Sequence, residues 1–132
     1  MTTTSSTKDK TTAESLAVVQ GLYKAAAAGD VPGVLSMLDE NLVCHVSPSL
    51  PYGGVYRGHK GIGELFEPLA QYIALESIVF DHIIADGEHV VAVVRVPVRS
   101  SGVELWVSEH HLVRGGKVVE QRIFYFDPTL VR

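Results

Sequence analysis

A chain of 132 residues, 46% of them hydrophobic, suits a single domain around one core. Its formal net charge of −4 and the lack of any basic run speak against nucleic acid as a partner, because phosphate binding needs a concentrated positive field. No apolar stretch is long enough to cross a bilayer, so no membrane partner is expected. The lone cysteine, Cys44, has no partner for an internal disulfide, which fits a reducing cytoplasm. No Cys/His spacing resembles a zinc site, and neither metal nor cofactor is expected.

Residues 1–11 are rich in Thr, Ser and Lys, lack the apolar core of a signal peptide, and are expected to be a disordered tail ahead of a domain at 12–132. The first helix is expected to start at Thr12, with Thr11 or Thr12 as its N-cap. Leu16, Val19, Leu22, Tyr23 and Ala26 form one apolar stripe along it, and Gly29 ends it. Asp30 caps a short second helix with Pro32 near its start; Val34, Leu35 and Leu38 face inward. Residues 39–41 read as a polar turn and 42–46 as a short strand. Residues 47–58, with Pro, Gly and Tyr, read as a loop of the kind that rims or covers a pocket. A third helix spans 61–72, with Ile62, Leu65, Phe66 and Leu69 on its apolar face and Pro68 expected to kink or split it.

Four strands follow. The first spans 74–85 and the second 89–99, where Pro97 implies a bulge or an edge. The last two, within residues 103–128, form a hairpin about Gly115-Gly116, which can supply the positive φ angles of a tight turn. Alternation divides the first hairpin strand into Leu105, Val107, Glu109, His111 and Val113 against Glu104, Trp106, Ser108, His110 and Leu112. In the second, Val119, Gln121, Ile123 and Tyr125 oppose Val118, Glu120, Arg122, Phe124 and Phe126. Neither face is cleanly polar, so both are expected to be covered, one by helices and the other by a partner subunit. The order of elements predicts a segregated α+β domain, with three N-terminal helices across one face of a curved antiparallel sheet.

Several motifs resemble the SnoaL-like polyketide cyclase and ketosteroid isomerase group of the nuclear transport factor two-like superfamily. They are Ala28-Gly29-Asp30, residues 51–58 (PYGGVYRG), Gly116-Lys117-Val118 and Tyr125-Phe126-Asp127. The resemblance covers residues 12–128 and implies a cone-shaped domain whose sheet and helices enclose an apolar pocket, with homodimers through the outer sheet face. Steroid isomerases of the group use a tyrosine on the first helix, an aspartate base after the first strand and a protonated acid late in the meander. Through Gly29-Asp30 the tyrosine position falls on Leu22, with Tyr23 one residue away. The base position falls on Val46 or Ser47, and the acid position on Glu109.

Glu109 and His111 lie two apart on a strand and share one face. Buried there, the carboxyl is harder to ionise and can trade a proton with the imidazole, which makes them the expected acid/base pair. A register one residue off would put Ser108 and His110 inward instead. Gln121 and Tyr125 are expected beside the pair, orienting a ligand carbonyl or hydroxyl. His45 is a candidate assisting base or an ordinary strand histidine. Tyr23, Ser47, Tyr52, Tyr56 and Phe66 complete the expected ligand contacts, with Tyr52 and Tyr56 either lining the mouth or pinning the loop. Cys44 is expected to be inert packing. The expected function is cofactor-independent proton transfer, an isomerase, cyclase or dehydratase reaction, on an apolar carbonyl-containing or aromatic small molecule. The competing expectation is a non-catalytic ligand-binding or dimerisation module on the same scaffold.

Overall fold

The computed structural model describes residues 3–132, with side chains from Thr7 onward. Helix α1 runs from Thr3 to Ala27, α2 from Val31 to Ser36 and α3 from Gly58 to Tyr72. The strands are β1 (Leu38–Val46), β2 (Gly54–Arg57), β3 (Val79–Asp86), β4 (His89–Pro97), β5 (Glu104–Arg114) and β6 (Lys117–Tyr125). They form one open sheet in the order β2-β1-β6-β5-β4-β3, against which the helices pack, an α+β cone. The β3 to β6 meander is antiparallel as expected, but β1 lies parallel to β6, so the sheet is mixed.

Several boundaries differ from the sequence reading. The expected tail is helical from Thr3, and Met1 and Thr2 lie outside the described residues. Thr12 is therefore no cap. Its hydroxyl donates to the Lys8 carbonyl at 2.8 Å and accepts from the Gly87 N–H at 2.8 Å, while Lys8 pairs with Asp86 at 2.8 Å. Contacts at Lys8 and Thr12 join this part of the helix to the β3–β4 turn. Residues 39–41 extend β1 instead of forming a turn, and β2 lies inside the expected loop. Helix α3 passes unbroken through Pro68: a proline removes one hydrogen bond, and the buried Ile62 and Leu65 hold the helix to the core. The first meander strand starts only at Val79, after a short 3-10 turn at Leu75–Ser77. Pro97 closes β4 rather than bulging it; the irregularity lies in β3, between Phe80 and His82.

Other readings hold. Asp30 caps α2 through Gly33 N–H at 3.0 Å. Gly115 and Gly116 both have positive φ, 61° and 78°, as a tight turn requires. The odd residues Leu105, Val107 and Val113 of β5 are buried toward the helices, and Trp106 and His110 are exposed on the other side. On β6 the parity changes. Leu112 pairs with Glu120 but Val113 with Val118, leaving Val119 as an extra residue. This bulge lets Val118 join the core while Gln121, Ile123 and Tyr125 still face inward.

Candidate functional site

The sheet places inward side chains in rows. Val90, His111, Gln121 and Cys44 are aligned across β4, β5, β6 and β1, and Ala92, Glu109, Ile123 and Val46 form the next row. Val94, Val107 and Tyr125 form the third. All of these but Val90 and Ala92 line a chamber of about 150 Å³, roofed by Leu22 and Tyr23 of α1, Val34 of α2 and Phe66 and Leu69 of α3.

Four polar groups form a chain across this apolar interior. The Tyr23 hydroxyl donates to Glu109 Oε1 and lies 2.7 Å from His111 Nε2. His111 Nδ1 lies 3.1 Å from Gln121 Nε2. A phenol has one hydrogen to give. With that hydrogen on Glu109, Tyr23 must accept from His111, which places the imidazole proton on Nε2 and leaves Nδ1 to accept from the Gln121 amide. Two capacities remain. Gln121 keeps its second N–H, and Glu109, a residue of the chamber lining, makes no protein hydrogen bond through Oε2.

Burial sets the electrostatics. It raises the Glu109 carboxyl above its ordinary range, an effect the Tyr23 hydrogen bond partly opposes. His111, 3% exposed, is pushed down to about 4 by burial and then by the neighbouring His110 charge, so it is neutral at pH 7. Burial, then the Glu109 charge and hydrogen bond, raises the Tyr23 phenol well above its ordinary value. Tyr23 is thus a donor and not a base. Cys44 lines the chamber, but burial and then Glu109 push its thiol up to about 12, so it stays protonated and unreactive at pH 7.

A second polar pair stands apart from the chain. The Tyr52 and Tyr125 hydroxyls lie 2.7 Å apart, and both residues line the chamber. Burial pushes Tyr52 up to about 12; burial, then Tyr52, raises Tyr125 as well.

The structure brings together Glu109, His111, Tyr23, Tyr52, Phe66, Gln121 and Tyr125. It separates three other candidates. His45 alternates with the inward Cys44 and Val46 and lies on the outer face of β1, bordering a shallow depression with Arg122 and Phe124. Ser47 borders the same depression, its hydroxyl 2.8 Å from that of Ser49, and closes a local turn. The Tyr56 hydroxyl donates to the Tyr52 carbonyl at 2.6 Å, so it pins the loop instead of lining the chamber. The alternative register also fails: Ser108 and His110 pair with each other at 3.0 Å on the outer face. Sequence reasoning missed the mouth residues Leu75, Ile78 and Phe80, because the irregularity that aims Phe80 at Tyr23, ring centroids 4.6 Å apart, leaves no mark in the sequence. Among the described residues no group of three or more His, Cys, Asp or Glu side chains could hold a metal ion, and no helix is long and apolar enough to cross a membrane.

Residues 19–121 match the family model of the SnoaL-like domain. No curated protein matches the sequence. Among solved structures, an NTF2-like protein from Burkholderia xenovorans LB400 is 24% identical, with 89% of this chain and 92% of that one covered at a TM-score of 0.75. Bal32a, from a soil-derived mobile gene cassette, is 17% identical, with 90% and 94% covered at 0.78. TerC, co-crystallised with polyporic acid, is 18% identical, with 89% and 94% covered at 0.77. At these identities the likeness establishes the fold.

Proposed function

The chain belongs to the SnoaL-like domain family, and we propose that its chamber is the acid/base site of a cofactor-independent enzyme acting on an apolar, carbonyl-bearing small molecule. One observation carries this reading: Glu109 lines a mostly apolar chamber with one carboxyl oxygen held by Tyr23 and the other without a protein hydrogen bond. Glu109 Oε2 takes a proton from the carbon next to the carbonyl. The C–H electron pair becomes the enolate double bond, and the negative charge moves to the carbonyl oxygen, where the free Gln121 N–H receives it. Return of the proton to a different carbon is isomerisation; its delivery to a departing hydroxide is dehydration. Attack of the enolate carbon on a second carbonyl is ring closure. His111 and Tyr23 act behind the carboxylate, fixing its orientation and its proton affinity.

The experiment needs no known substrate. Acetophenone incubated with the protein in D2O should exchange its α-protons at an enzyme-dependent rate followed by NMR. Glu109→Gln should remove that exchange; equal exchange with the variant defeats the assignment. A non-catalytic binding module is the second reading, favoured by the hydrogen bonds that tie Tyr23, Glu109, His111 and Gln121 to one another. Saturable binding without exchange would support it. Co-crystallisation of TerC with polyporic acid is a precedent for a small organic ligand on this fold.

The outer sheet face carries Trp106, Phe124 and Phe126, exposed by 44%, 52% and 88%. Aromatic exposure on that scale supports a homodimer through this face. The single unpaired thiol supports a cytoplasmic setting.

A further inference from the structure

The geometry points to a specific class of occupant: a compact, single-ring molecule with oxygen functions at two separated positions, one held at Glu109 and Gln121, the other by the Tyr52–Tyr125 hydroxyl pair. This deepens the proposed function and rests on its placement of the carbonyl.

The first argument is hydrogen counting. Two phenols 2.7 Å apart own two hydroxyl hydrogens, and their mutual bond uses one. Whichever phenol accepts, its own hydrogen is left without a partner in the pair. Tyr52 is almost fully buried, its backbone carbonyl is taken by Tyr56, and both rings line the chamber. The spare donor is therefore best met by an acceptor oxygen on the occupant. Both phenols are held un-ionised at pH 7, so the pair offers a donor and no charge.

The second argument is spacing. Glu109 pairs with Ile123 and Tyr125 with Val107, so Glu109 and Tyr125 are diagonal neighbours, one row apart. Gln121 and Tyr125 stand two rows apart on β6. At about 3.3 Å of rise per residue these steps are about 7 and 13 Å between backbone positions. Side chains converging from such positions suit oxygens at opposite ends of one six-membered ring. Between the two stations lie Ile123 and Val107, which offer only hydrocarbon.

The third argument is volume. The chamber holds about 150 Å³, and an apolar cavity of about that size takes a benzene-sized guest. A four-ring skeleton would have to extend beyond it through the mouth.

Isothermal titration calorimetry with acetophenone, 4-hydroxyacetophenone and the four-ring diketone 4-androstene-3,17-dione tests the proposal on the intact protein. The para oxygen should tighten binding by about tenfold over acetophenone, the value of one net hydrogen bond in a dry site. The steroid should bind more weakly than 4-hydroxyacetophenone. Tyr125→Phe and Tyr52→Phe singly leave one phenol able to donate and should keep part of the discrimination. The double variant should abolish it, so that the two acetophenones bind it with equal affinity. Equal affinities for the two acetophenones, no saturable binding of 4-hydroxyacetophenone, tighter steroid binding, or discrimination surviving in the double variant would each overturn the proposal. The wild-type comparison decides even if the double variant does not fold. Failure of α-proton exchange with the discrimination intact would remove the catalytic reading and leave the two-station occupant standing.

Discussion

His110 and His111 are neighbours in sequence and belong to two different environments. His111 is buried with Tyr23 and Gln121 at its two ring nitrogens and is held neutral. His110 is exposed on the outer face, against Ser108 and the edge of Phe124. The same division runs along all of β5, with Leu105, Val107, Glu109 and His111 on one side and Trp106, Ser108 and His110 on the other. Residue type alone does not decide what a histidine does here; the pleat assigns it to a sealed network or to open surface.

The sharpest break of that contrast is chemical. Glu109→Gln should lower proton-exchange activity by about 10²- to 10⁴-fold, the range for removing a general acid/base, while His45→Ala on the outer face of β1 should leave it unchanged. NMR exchange rates for the two variants, side by side, check both.

A second test is energetic. Leu105→Ala opens a hole beneath the helices and should cost about 2–5 kcal/mol in denaturant unfolding. Trp106→Ala, one residue on, removes exposed surface. Its expected effect is weaker self-association in sedimentation equilibrium rather than an unfolded monomer.

A third is pH. The fold holds His111 below its ordinary 6.5, at about 4, so it favours the neutral ring. That contribution is complete above pH 6.5 and is lost as pH falls toward 4, amounting to at most about 3 kcal/mol. Glu109 works in the opposite sense. Its folded value is raised, so its contribution is complete below its ordinary 4.5 and is lost as pH rises through the raised value. Tm measured between pH 4 and pH 7 should fall on the acid side in wild type. It should fall less in His111→Gln, whereas His110→Gln, which removes only the smaller of the two causes that lower His111, should stay nearer to wild type.

The smallest expected effect concerns the N-terminal anchor. Thr12→Val removes the acceptor for Gly87 N–H and should speed amide hydrogen exchange at the β3–β4 turn without altering exchange at Glu109.

Legibility in the sequence followed the same line. The inward identity of Glu109 and His111 was readable because Leu105, Val107 and Val113 repeat at period two around them. His45 was misplaced although the same rule applied: in Leu42-Val43-Cys44-His45-Val46 both faces are mostly apolar, so alternation carries little contrast. Tyr23 was placed on the apolar side of α1, but its partners lie 86 and 88 residues away. Counting through Gly29-Asp30 pointed to Leu22, whereas the hydroxyl that meets Glu109 and His111 is that of Tyr23. The helical start at Thr3 was invisible because residues 3–11 bear no apolar repeat; the contacts of Lys8 with Asp86 and of Thr12 with Gly87 are tertiary and leave no mark in the sequence. The parallel seam between β1 and β6 was equally hidden, since no local turn specifies it.

That seam has a kinetic consequence. Apart from β2, β1 has its strand neighbour in β6, so Val43 waits for Glu120 across most of the chain. Until β6 has been added to β5, β1 and β2 can form only a lone two-stranded ribbon, which is marginal in water. Loop-closure entropy of that length falls on the last pairing, so completion of the sheet, and with it closure of the chamber wall at Cys44 and Val46, is expected to be the late and slow event in refolding.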